Sequence, residues 1–201
     1  MIKNILSSAL GATLFMGGAA FADKLSIAEI ETYLKGLDTA EASFVQINSD
    51  SSRSHGVLYL DRPGKARFEY APPAKAKVVV SQKTVVVFDG RSNQAPEQYP
   101  LSKTPLNLVL SKRVKLSGSK QIIGHTYKDG TTRLTLMDPK SPKSGRVELR
   151  FADAPAALTS WVITDQYGER TAVELSKMKT GMKLPSRLFD LNAILPKRSL
   201  R

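Results

Sequence analysis

Few residues in this chain are of types and spacings that could do chemistry. Its two histidines, His55 and His125, each stand among strand-forming residues. Neither belongs to a His-x-x-His or His-Glu-x-x-His pattern, which would put two ligands for a metal on one helix face. The sequence has no cysteine, which excludes disulfides, thiolate metal sites and a Cys nucleophile. No Gly-x-Ser-x-Gly elbow presents a serine, although a triad assembled in space would leave no such trace. Asp61 and Asp89 could pair as acid and base. Each stands at a strand end beside a turn, where Asp is common because it bonds local backbone. No Gly-rich phosphate loop is present. Arg62, Lys65 and Arg67 interleave with Phe68 and Tyr70, as on a stacking platform for single-stranded nucleic acid. Neighbours on a strand point to opposite faces, so Arg67 and Phe68 do not share one. This part of the chain therefore reads as an amphipathic strand. The protein is expected to bind rather than catalyse, with no cofactor and no metal.

The elements that would position a binding site are mostly strands. Ser26-Ile27-Ala28-Glu29 is a capping box, and Ile27, Ile30, Leu34 and Leu37 follow at helical spacing, predicting an amphipathic helix over Ser26 to Leu37. Strands are expected at Phe44–Ile47, Val57–Leu60, Lys65–Tyr70, Lys77–Ser81 and Thr84–Phe88. Thr104-Pro105 should cap a short second helix carrying Leu106, Val109 and Leu110. Further strands are expected over Gln121–Tyr127, Thr131–Met137, Arg146–Phe151, Leu158–Thr164 and Arg170–Ser176, with Asp129-Gly130 as a hairpin turn. A last strand is placed near Arg187 to Leu191. About ten strands and two helical places predict one curved antiparallel sheet, curling towards a barrel with helices over its concave face. One face should be polar and wet. The other collects Phe44, Tyr59, Phe68, Tyr70, Phe88 and Trp161. At this level a movable lid over an apolar concavity and a permanently packed core are both open.

The N-terminus says where the protein works. Lys3 precedes a run from Ile5 to Phe21 without an ionisable side chain, closing on Ala20-Phe21-Ala22. That is the layout of a secretory signal peptide, with cleavage after Ala22. Cleavage removes 22 of 201 residues and leaves a 179-residue single domain, 23–201. The net charge of +12 becomes +11, because one Lys leaves with the leader. A basic exported protein meets anionic membrane surfaces or acidic proteins rather than nucleic acid. The tail from Pro196 is short and basic.

Seven segments, in order, resemble one family: the periplasmic outer-membrane lipoprotein carriers of the LolA type. They are the first helix leading to Phe44 and Gln46; Gly56-Val57-Leu58-Tyr59-Leu60-Asp61-Arg62-Pro63-Gly64-Lys65; Phe68-Glu69-Tyr70 with Pro72-Pro73; Phe88-Asp89; Thr104 to Leu110; Trp161 to Asp165 with Gly168 and Thr171 to Leu175; and Leu188 to Leu191. Three places depart from the family pattern: Ser81-Gln82-Lys83 stands where Asp-Gly is frequent, Val86-Val87-Phe88-Asp89 where a Trp-x-Tyr-Asp strand is, and the turn between Arg62 and the aromatic pair is slightly long.

The resemblance implies an incomplete barrel of one curled antiparallel sheet with a helical lid. It also implies a carrier that takes acylated lipoproteins from an inner-membrane ABC-type release complex. The carrier would shield their acyl chains and pass them to an outer-membrane receptor; the oligomeric state is left open, and a monomer suits such a shuttle. Arg62 matches the family arginine that ties the lid shut through lid backbone groups. Residues implied for the acyl-chain and lid site are Arg62, Phe44, Tyr59, Phe68, Tyr70, Phe88, Leu106, Leu110 and Trp161. The alternative is a periplasmic regulator sensing lipid or peptide on the same half-barrel. An exported hydrolase is disfavoured for want of a nucleophile motif.

Overall fold

The computed structural model describes residues 23–90, 94–111, 114–153 and 155–194. The segment 1–22, expected to be a signal peptide, and the tail from Pro196 lie outside them. The first helix, α1, runs Ile27–Gly36, as its cap predicts. Ser26 Oγ accepts from the Glu29 amide at 3.2 Å, and Glu29 Oε2 accepts from the Ser26 amide at 2.7 Å. Its Ile30 and Leu34 are buried.

Eleven strands follow. In the first half they are β1 (Thr39–Ile47), β2 (Arg53–Asp61), β3 (Lys65–Tyr70), β4 (Lys77–Ser81), β5 (Thr84–Phe88) and β6 (Glu97–Pro100). After helix α2 (Leu106–Leu110) come β7 (Ile122–Lys128), β8 (Thr131–Met137), β9 (Arg146–Asp153), β10 (Ala156–Thr164) and β11 (Arg170–Thr180). They form one antiparallel sheet in the order β6-β5-β4-β3-β2-β1-β11-β10-β9-β8-β7. Each half is a meander, and the halves join where β1 pairs with β11, Phe44 opposite Leu175. Among the described residues the outer strands β6 and β7 do not pair with each other, so the barrel stays open.

Two-residue turns set the hairpins. Asp129 and Gly130 both have positive φ, 53° and 68°, as the twist of a tight hairpin demands. Gln82 and Lys83 do the same at 49° and 63°, without the Asn or Gly that signals such a turn. Gly56 answers a close approach: a Cβ there would meet the Glu69 carbonyl oxygen at 2.0 Å and the Phe44 ring at 3.0 Å.

Four expectations change. Strand β6 was not foreseen, because Glu97-Gln98-Tyr99-Pro100 is exposed throughout and has no apolar alternation; Pro at its end suits an edge. The second helix is only five residues long. Pro105 takes its cap position, and the Thr104 hydroxyl is spent backwards on the Leu101 carbonyl at 2.9 Å. Residues Arg187 to Leu191 are not a strand. Pro185 precedes a 3-10 turn, Ser186–Phe189, and a short helix α3 (Leu191–Ile194), held by local bonds such as Leu188 N–H to the Pro185 carbonyl at 3.0 Å. Finally, the convex face is not uniformly polar. Val79 and Val86 are fully buried there beneath Leu191.

Candidate functional site

The concave wall is built from alternate residues of the strands. On β9, Val147, Leu149 and Phe151 are all at 0% exposure. Across the curl the rings meet edge to face. Phe44 lies 5.5 Å from Phe68 and 5.1 Å from Tyr70, and Phe68 lies 6.3 Å from Trp161. Phe68 is on β3 and Trp161 on β10, strands that are not neighbours in the sheet. Their contact spans the concavity, which only a curled sheet permits. The Tyr70 hydroxyl donates to Gln46 Oε1 at 2.6 Å, and burial pushes its phenol up to about 12.

Both helices lie over this wall. Ile30, Leu34, Leu37 and Leu110 are each at 4% exposure or less. At about 1.5–3 kcal/mol per fully buried aliphatic side chain, these four contribute roughly 6–12 kcal/mol of gross burial. Between lid and wall is a cavity of about 20 Å³, bounded by Leu37, Leu106 and Leu110 from the lid and Leu60, Phe68 and Trp161 from the sheet. That is room for about one water, in a lining without polar partners to hold it. The lid is shut, and its own side chains occupy the space.

Charge closes the lid. Arg62, in the β2–β3 turn, donates through Nη1 to the Leu34 carbonyl and to the Leu37 carbonyl at 3.2 Å, and through Nη2 to the Ser111 carbonyl at 3.1 Å. One side chain thus ties the C-terminal ends of both lid helices, whose last carbonyls have no intrahelical donor. The adjacent backbone joins in: Arg62 N–H donates to Asp38 and Gly64 N–H to Leu110, at 2.7 and 2.8 Å. Burial lowers the Arg62 pKa, with Asp38 opposing at longer range, and its Nε is buried without a partner.

Two further ties hold α1. The Glu31 carboxylate accepts from the Leu116 and Ser117 amides at 2.8 and 2.9 Å and pairs with Lys35 at 2.5 Å. Lys35, then the Ser117 and Leu116 amides, hold its pKa down at about 2. Ahead of the helix, Leu25 bonds the sheet. Its amide donates to Thr132 Oγ1 at 2.9 Å, and its carbonyl meets His125 Nε2 at 2.8 Å. His125 is thus a lid anchor. His55 is exposed on β2.

Of the residues implied by the resemblance, Phe68, Trp161, Leu106 and Leu110 line the cavity, and Phe44 and Tyr70 stack behind Phe68 on the same face. Arg62 is at the lid. Tyr59 and Phe88 are elsewhere. Tyr59 stands opposite Arg67 and Glu41, on the convex face, where burial and the Glu69 and Glu41 charges raise its phenol pKa. Phe88 packs there with Val79 and Val86. The strand parity that points Phe68 inwards points these two outwards. The sequence reading missed Glu31, whose amide partners lie some 85 residues along the chain. It also missed Met178, which lines the cavity and accepts from the Tyr33 hydroxyl at 3.9 Å.

The family model described as outer membrane lipoprotein carrier protein LolA matches residues 35–192. An outer-membrane lipoprotein carrier protein of Coxiella burnetii is 30% identical over 92% of each chain. Another, of Methylococcus capsulatus, is 26% identical over 89% of each. Among solved structures, a DUF1329 family protein from Desulfovibrio piger shares the fold, with a TM-score of 0.51 at 10% identity, over 83% of this chain and 95% of that one.

Proposed function

This chain belongs to the LolA family of outer membrane lipoprotein carriers, and on that premise we propose that it is a periplasmic shuttle for the acyl chains of lipoproteins. It is read as a single carrier domain, 23–201, released from its leader after Ala22 and working as a monomer without catalysis. It collects cargo at an inner-membrane ABC-type release complex and yields it to an outer-membrane receptor.

The observation that carries this reading is the apolar cavity whose roof is a latched, two-helix lid. An acyl chain of about sixteen carbons is worth roughly 12 kcal/mol on leaving water. The lid residues contribute a similar gross burial when shut. Cargo therefore exchanges for lid rather than filling a void, and the net affinity is small enough for release. Re-forming the Arg62 bonds favours the empty, shut state and so favours hand-over.

Native mass spectrometry of the protein recovered from the periplasm tests this. A complex with acylated lipoprotein is the expected result. A bound peptide without acyl chains would instead favour the regulator reading, and ester turnover would favour the hydrolase.

A further inference from the structure

Beyond the shut cavity lies a second, open groove of about 1000 Å³, and Leu106 lines both. One wall carries Tyr99 and Lys103, just ahead of α2. The other carries Lys140 and Lys143, from the β8–β9 connection, and Tyr167, from the β10–β11 turn. None of the three lysine side chains makes an ion pair or hydrogen bond among the described residues. The groove's one carboxylate, Asp165, has its Oδ1 committed to the amides of Tyr167 and Glu169 at 2.8 and 3.0 Å. The neighbouring Asp138 likewise accepts from the Lys140 amide at 2.9 Å. Tyr167 is 82% exposed at the turn's tip, and Tyr99 37%.

Three unpaired ammonium groups, in excess of the nearby carboxylates of Asp138 and Asp165 and interleaved with wet phenol rings, suit one boundary in particular. Tyrosine places its ring at the headgroup level of a bilayer and its hydroxyl in water, while lysine meets lipid phosphate. A ring standing proud at a turn tip has no pocket wall of its own, and a fluid lipid surface supplies one. We propose that the rim of this groove docks the protein on a membrane surface bearing anionic phospholipid. Docking would set the opening beside Leu106 against the lipid. It also gives part of the +11 mature charge a location. The inference stands apart from the carrier reading, because docking requires no acyl chain in the cavity.

Flotation with vesicles tests it, using phosphatidylcholine alone and phosphatidylcholine mixed equally with phosphatidylglycerol. The wild type should float with the anionic vesicles only. At about 1 kcal/mol per lysine near a charged surface, the triple variant Lys103→Gln, Lys140→Gln, Lys143→Gln should partition about a hundredfold more weakly. The variant Lys177→Gln, Lys179→Gln removes two cations at the far end of β11, outside the groove, and should lose only a few-fold. Tyr167→Trp should add a fluorescence component that blue-shifts on anionic vesicles and is quenched by brominated acyl chains. An acidic protein as the true partner would show as no flotation of the wild type. That result, equal loss in both lysine variants, or an unshifted Trp at position 167, overturns the proposal.

Discussion

The sheet wears two covers, and they are fastened differently. On the convex side, Phe189 and Leu191 lie over β3–β5, held by Arg67, which donates to the Leu188 carbonyl at 3.0 Å and to its own carboxylate partner Glu69 at 2.7 Å. On the concave side, α1 and α2 are held by Arg62, which has three carbonyls and no carboxylate within ion-pairing distance among the described residues. Arg67 keeps its counter-ion whether or not the cover is in place. On the carrier reading, Arg62 would give up its bonds when the lid lifts and would then simply be hydrated. On that reading one fastening belongs to the folded state, and the other to one of its conformations.

The largest expected effect probes the convex cover. Phe189 is 3% exposed, and Phe189→Ala should lower unfolding free energy by about 3–5 kcal/mol in a denaturant titration. It should leave cargo delivery unchanged; loss of delivery in the folded variant would erase the contrast between the covers. Arg62→Leu comes next. Bonds to a charged group are worth about 1.5–3 kcal/mol each, and we expect about 2–3 kcal/mol net from the three. Loading should survive while transfer of lipoprotein to the outer-membrane receptor slows ten- to a hundredfold. Transfer at wild-type speed would show the latch to be irrelevant.

Smaller changes sharpen the same contrast. Tyr70→Phe removes one hydrogen bond from the fixed wall and should cost about 1 kcal/mol of global stability. In the wild type the raised Tyr70 pKa adds stability that is complete below its ordinary value of 10 and disappears as pH rises through about 12. Ultraviolet titration should find this phenol still protonated after the exposed tyrosines have ionised. The smallest effect is local. Glu31 has its pKa lowered from about 4.5 to about 2, so its tie is fully made above the higher value and lost as pH falls towards the lower. Hydrogen-exchange protection of the Leu116 and Ser117 amides should fall over that window. In Glu31→Gln it should be weaker and flat.

Local chemistry was legible in advance. The Ser26–Glu29 box, the alternation of Val147, Leu149 and Phe151 and the Asp129-Gly130 turn each act over a few residues, so their spacing along the chain is their signal. Lines of weak pattern were not legible. The edge strand β6 has no apolar face, and Phe189 and Leu191 look like a strand until Pro185 and the valines beneath Leu191 are seen. Tyr59 and Phe88, which lie on the convex face, show what alternation alone leaves open. Each strand's alternation is plain, but which phase faces inwards depends on register with its neighbours, and a one-residue slip exchanges the faces.

By itself, then, the amino-acid order determined most of the elements, their amphipathic character, the leader pattern and, through ordered resemblance, the family. Only the tertiary structure decided that β1 closes on β11, that Phe68 meets Trp161 across the curl, and that Arg62 grips both helices. Those contacts link residues far apart in the chain; the resemblance marks Arg62 as the latch, but the carbonyls it grips are backbone groups that every residue carries, so its partners at Leu34, Leu37 and Ser111 come only from the fold.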